Sequence, residues 1–184
     1  AETNAKKAIE IYDRLGNDGL LSEGYRQLSE IYFNRGDVDE AFKLLDQAKT
    51  KAERIGDKSR TIRAQWIKSN NLINMGDYSE ALIYLNEAAS GAEDLGDIAL
   101  YVSVLQSVGL LYQMQGNLAK SYEICQKAIK VAEKYGLEFK VAGLNNNMGI
   151  ISELRGELDE ALDKYIKALE VFKHTGQPES ITQC

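Results

Sequence analysis

Glycines return every 40 residues in two interleaved series, Gly36, Gly76, Gly116 and Gly156 in one and Gly16, Gly56, Gly96, Gly136 and Gly176 in the other, offset by 20. A fixed period of this size means that each unit is one supersecondary element unable to bury its apolar face alone, so neighbours must stack into a continuous core. Most of these glycines follow a helical run and precede Asp, Asn or Glu, as in Gly36-Asp37, Gly56-Asp57, Gly76-Asp77, Gly96-Asp97, Gly116-Asn117 and Gly156-Glu157. A left-handed stop followed by an Asp or Asn acceptor ends one helix and starts the next. Asp37 with Glu40, and Asp77 with Glu80, have capping-box spacing. Between stops lie about 18 helical residues, a rod of roughly 27 Å, and connections this short force successive helices antiparallel.

The spacing therefore predicts a single all-α solenoid of antiparallel helical hairpins. Residues 1–16 match the second helix of a unit; 17–56, 57–96, 97–136 and 137–176 are complete units; 177–184 begin a further helix, with Pro178 suited to its first turn. The chain lacks an initiating Met, and an array cut from a longer protein is expected.

Stacking the units exposes columns of small residues. Ser29, Ser69, Gly109 and Gly149 align in the first helices; Ala41, Ala81, Ser121 and Ala161, then Ala48, Ala88, Ala128 and Ala168, align in the second. Small side chains there permit close helix approach, and a large replacement would overpack the hairpin by about 1–3 kcal/mol. Tyr32, Leu72 and Tyr112 share a column with Ser152, and Leu45, Leu85, Cys125 and Tyr165 form an apolar line.

Stretches such as Leu28-Ser29-Glu30-Ile31-Tyr32, Gly36-Asp37, Glu40-Ala41 and Ala48, and again Val108-Gly109-Leu110-Leu111-Tyr112 with Gly116-Asn117, carry a family pattern. The chain resembles the tetratricopeptide repeat over nearly its whole length. The common unit has about 34 residues and often a proline before the next repeat, and neither holds here. The longer spacing is similar to kinesin light chains, Pins-type scaffolds and bacterial peptide-sensing regulators. The resemblance implies a right-handed superhelix whose first helices line a concave groove for an extended or helical peptide.

At 100° per residue the core stripe of the first helix passes through Leu28, Ile31 and Tyr32, leaving 23, 26, 30, 33 and 34 on the opposite side. The columns there read Arg26, Trp66, Gln106 and Asn146; Glu30, Asn70, Leu110 and Ile150; and Asn34, Asn74, Met114 and Leu154, bordered by Phe33 and Ile73, with Glu23 and Arg63 a turn earlier. Recurrent amides, including Asn147, can donate to and accept from a peptide backbone. Trp66, Ile73, Leu110, Met114, Ile150 and Leu154 would form an exposed apolar patch, and Trp is among the commonest binding anchors. Lys68 and Asn71 stand where other units place apolar core residues. Lys68 is expected either to lay its methylenes along the interface or, with Asn71, to receive a partner's carboxylate or backbone near Trp66.

Other functions find little footing. Lys and Arg total 22 against 28 Asp and Glu, a formal charge of −6, which disfavours a nucleic-acid surface. With two cysteines, Cys125 and Cys184, no disulfide framework is implied, and a reducing cytoplasm is the default. No apolar run is long enough to span a membrane. His174 is the sole histidine and sits near a helix end, Cys125 occupies a core column, and the paired carboxylates Asp39-Glu40 and Asp159-Glu160 fall in first turns, where the helix dipole accounts for them. No cofactor, metal site or catalytic cluster is indicated. The expected function is a protein or peptide interaction scaffold; the alternative is a peptide-controlled sensor domain of a larger signalling protein.

Overall fold

The computed structural model describes residues 2–175, and outside helices these form only short turns. The Gly176 stop, the helix start at 177–184 with Pro178, and Cys184 lie outside the described residues. The helices fall into two units. Ala1–Gly96 holds α1 (Glu2–Arg14), α2 (Asp18–Asn34), α3 (Val38–Arg54), α4 (Lys58–Met75) and α5 (Tyr78–Leu95). Asp97–Cys184 holds α6 (Ile98–Met114), α7 (Leu118–Lys134), α8 (Glu138–Leu154) and α9 (Leu158–Thr175).

The punctuation works as the residue types dictate. The series glycines from Gly16 to Gly156 all have positive φ, between 61° and 87°, a region that a side chain makes costly. After them, Asp57 accepts from the Arg60 N–H at 3.0 Å, Asp97 from Leu100 at 3.0 Å and Asn117 from Lys120 at 3.2 Å. Asn17 caps α2 in the same way, accepting from Leu20 at 3.0 Å. Two expectations fail here. Asp77 makes no side-chain capping bond, and at Asp37 only half of the box forms: it accepts from the Glu40 N–H at 3.4 Å, while the Glu40 carboxylate turns to Lys43.

Within the first unit each helix packs on its sequence neighbours, and α2 also meets α4; in the second unit α6, α7, α8 and α9 do the same, and α6 meets α8. The small columns lie at these interfaces. Ser29, Ser69, Ser121, Ala81, Ala88, Ala128 and Ala168 are fully buried. A methyl group on Gly149 would sit 2.5 Å from the Tyr165 ring, and one on Gly109 would sit 2.9 Å from Cys125 Sγ. The helices approach this closely because those Cβ atoms are missing. The serines find carbonyl partners: Ser121 Oγ donates across to the Gly109 carbonyl of α6 at 2.7 Å, and Ser69 Oγ to the Trp66 carbonyl of its own helix at 2.6 Å. Leu45, Leu85 and Cys125 fill the large-residue line from the core side.

Candidate functional site

The positions expected to line a groove fall on one face of each first helix. Arg26, Glu30 and Asn34 are on α2; Arg63, Trp66, Asn70, Ile73 and Asn74 on α4; Gln106, Leu110 and Met114 on α6; Asn146, Asn147 and Ile150 on α8. Glu30, Asn34, Arg63, Asn74, Leu110 and Met114 are exposed, while Arg26, Trp66, Asn70, Gln106, Asn146, Asn147 and Ile150 are half-buried. Ile73 is a correction: it is 1% exposed and among the largest fully buried side chains. It lies one turn beyond buried Ser69 and next to buried Leu72, and packing on that side of α4 takes its apolar surface out of water. The proposed apolar patch loses it.

In the first unit the chosen face of α2 looks across at α4. Glu23, Arg26, Asp57, Ser59, Arg60, Arg63, Trp66 and Ile67 line an open cleft of about 550 Å³, which unites Arg26, Arg63 and Trp66. Arg26 donates from Nε and Nη2 to the two Glu23 oxygens, at 3.1 and 2.5 Å. That fork holds the Glu23 carboxyl below its usual range and raises Arg26. Arg60 donates to Asp57 Oδ2 at 3.1 Å. Sequence reasoning passed over Arg60, although its spacing of three from Arg63 puts both on one helix face.

In the second unit the matching faces of α6 and α8 meet. Gln106 Nε2 lies 3.8 Å from where a Gly143 Cβ would stand, and Lys140 Nζ donates to Ser103 Oγ at 2.6 Å. Asn146 Oδ1, like Asn70 Oδ1 in the first unit, is turned inward without a hydrogen-bond partner. Each of these amides retains unused hydrogen-bonding capacity.

Lys68 does not serve this face. Its ammonium pairs with Asp46 of α3 at 2.9 Å and lies 5.4 Å and 5.5 Å from the ring centres of Phe42 and Tyr84, which places it toward α3 and α5. Held there, it is not available to receive a partner's carboxylate or backbone near Trp66. Asn71 is buried, with its Nδ2 unpartnered.

Reactive chemistry is sparse. Burial pushes the Cys125 thiol up to about 11, which suppresses thiolate. His174 is exposed in the last turn of α9. Among the described residues no group of His, Cys, Asp and Glu could hold a metal ion, and no helix is long and apolar enough to cross a membrane.

The tetratricopeptide repeat family model matches residues 20–94 and 101–173. The chain belongs to that family. Its fold is shared with a Rap protein solved in complex with competence and sporulation factor, at a TM-score of 0.87 and 16% identity over 99% of this chain and 51% of that one. Aspartyl phosphate phosphatase F from Bacillus subtilis is similar at a TM-score of 0.84 and 18% identity, covering 97% of this chain and 47% of that one. A signal transduction ATPase with a tetratricopeptide repeat sensor from Pyrococcus horikoshii gives 0.74 and 22%, covering 90% and 26%. The chain thus spans about half the length of the Rap protein and of phosphatase F, and about a quarter of the ATPase. A comparison with the curated proteins finds no match.

Proposed function

We propose that this chain is a recognition module that holds a peptide or partner segment along the face of its first helices and carries out no chemistry itself. The observation that carries this reading is the cleft between α2 and α4, where Arg26, Arg63 and Trp66 line one open space of about 550 Å³. An aromatic wall beside guanidinium donors is the composition enriched in binding anchors. Glu30, Asn34, Asn70 and Asn74 extend that surface on the first unit. On the second unit Gln106, Leu110, Met114, Asn146, Asn147 and Ile150 form the corresponding strip. The unpartnered amide oxygens of Asn70 and Asn146 can take a backbone N–H after rotation of the amide, a contact that reads extended chain without demanding one sequence. A reducing, cytoplasmic setting suits the free buried Cys125.

Trp66 is the only tryptophan, so its fluorescence reports directly on the cleft. Titration with pooled peptides should shift its emission, and the double variant Trp66→Ala, Asn70→Ala should retain less peptide on a column than the unaltered chain. Equal retention by both removes these residues from the site.

A sensor role is the second reading, favoured by the Rap protein solved with competence and sporulation factor. It requires a ligand with different affinities for two forms of the array. Small-angle scattering with and without bound peptide tests it, and an unchanged envelope rejects the switch.

A further inference from the structure

The start of α4 separates two spaces. Ser59, Arg60 and Arg63 line the cleft against α2, while Lys58 and Ile62 line a second pocket, of about 450 Å³, against the ends of α3 and α5. Its floor is apolar, made by Ile62, Gly91 and Leu95, and Glu53, Lys58 and Asp94 surround it. A volume of this size lies within the range of ligand sites. The opening traces to one residue. Gly91 occupies a column that reads Lys51, Val131 and Val171 in the other repeats. Where Lys51 stands, the step between helices is bridged: its ammonium reaches Asp18 at 3.1 Å, and Arg54 joins the same carboxylate at 3.2 Å. One repeat later Gly91 has no side chain to lay across, and Lys58 and Asp94 take the columns of Asp18 and Arg54. Neither of these two side chains has an ion-pair partner among the described residues, and Glu53 reaches only Lys49, at 3.7 Å. Leu95 is left 42% exposed at the edge of the pocket. In the second unit Val171 stands in the column of Gly91 and packs on Ala142, Ala168 and Phe172, and the corresponding space falls to about 380 Å³.

We infer that the Gly91 pocket is a second docking site, which takes one bulky aliphatic side chain of a partner segment carrying Lys or Arg on either side of it. The aliphatic group rests on Ile62, Gly91 and Leu95, in the column where Lys51 supplies a side chain of the protein's own. Two carboxylates, Glu53 and Asp94, stand against the single ammonium of Lys58. The rim is therefore net negative and complements basic flanks better than acidic ones. This pocket shares no lining residue with the cleft of Arg26 and Trp66, so occupation of the two can be told apart.

The test uses the whole 184-residue chain with labelled Ile and Leu methyl groups and three acetylated, amidated pentapeptides: Gly-Lys-Leu-Lys-Gly, Gly-Lys-Ala-Lys-Gly and Gly-Glu-Leu-Glu-Gly. The Ile62 and Leu95 methyl signals should move as the first peptide is added. Half-saturation should come at a concentration about tenfold lower than for the Ala peptide and about threefold lower than for the Glu-flanked one. Gly91→Val, which fills the floor from within, should abolish these shifts, and Trp66→Ala should leave them intact. Asp94→Lys, at an exposed position, should erase the preference for basic flanks. Unchanged helical circular dichroism certifies each variant; if Gly91→Val fails this, Asp94→Lys decides. Methyl signals that stay still in the parent chain, shifts that persist in Gly91→Val, or equal response to the Leu and Ala peptides overturn the pocket. Binding of the Glu-flanked peptide as tight as that of the Lys-flanked one, or a flank preference indifferent to Asp94→Lys, overturns the basic partner. Shifts confined to the surroundings of Trp66 overturn the second site and leave recognition by the first helices standing.

Discussion

Two glycines of one helix offer a sharp test of the packing argument. Gly143 and Gly149 both lie inside α8, so Gly→Ala brings the same intrinsic helix gain at either, close to 1 kcal/mol. Their surroundings differ. A Cβ at Gly143 meets its nearest atom, Gln106 Nε2, at 3.8 Å, an ordinary contact. A Cβ at Gly149 would lie 2.5, 2.7 and 2.9 Å from three atoms of the Tyr165 ring, about 1 Å inside the usual carbon–carbon separation. Tyr165 is tied by its hydroxyl to Glu153 Oε2 at 2.8 Å, and moving the ring or α9 to make room costs about 1–3 kcal/mol of overpacking plus up to about 1 kcal/mol for the hydrogen bond. Gly143→Ala should thus stabilise the chain by up to about 1 kcal/mol, whereas Gly149→Ala should give no gain and destabilise it by up to about 3 kcal/mol. Guanidinium unfolding followed by circular dichroism measures both. If Gly149→Ala is as stable as Gly143→Ala, the small column is not a steric requirement and the account of hairpin packing fails.

Further expectations concern α4. Asn71→Leu removes a buried, unpartnered amide nitrogen and should raise stability by about 1–2 kcal/mol, read as a higher denaturant midpoint. Ile73→Ala should cost about 2–5 kcal/mol because the side chain is 1% exposed; a loss below about 0.5 kcal/mol would return Ile73 to the surface. Burial opposes the Lys68 charge, yet the Asp46 carboxylate more than offsets it, and the ammonium pKa lies above its ordinary value. The folded value then exceeds the unfolded one, so the pair stabilises below about pH 10.4 and is lost as pH rises through the folded value. The midpoint of Lys68→Met relative to the parent chain should therefore shift in the variant's favour above that pH, and a pH-independent difference would refute the linkage.

Much of the fold was legible because each repeat makes the same statement. A glycine stop, an Asp or Asn acceptor and three small columns recur at fixed offsets, so a misread at one position is corrected by its equivalents. The errors arose where a residue left its column. Asp77 has the right type and spacing, but its side chain makes no capping bond. Ile73 is buried while its column mate Phe33 is only half-buried, a difference in tertiary packing that no helical wheel resolves. Lys68 looked like an intruder in an apolar stripe; Asp46, 22 residues earlier, supplies the counter-charge, and only packing of α4 on α3 brings them together. Arg60 sits in the first turn of its helix, where pairing with the Asp57 cap accounts for it locally, and its place in the cleft depends on α2 standing opposite.

The most direct test of the central claim is amide chemical-shift mapping of the isotopically labelled chain while a peptide selected from the pooled titration is added. The account predicts that the largest changes cluster on α2 and α4 around Arg26, Arg60, Arg63 and Trp66, with any on the second unit confined to the Gln106 and Asn146 faces of α6 and α8. Changes concentrated on α3, α5, α7 and α9 would contradict it.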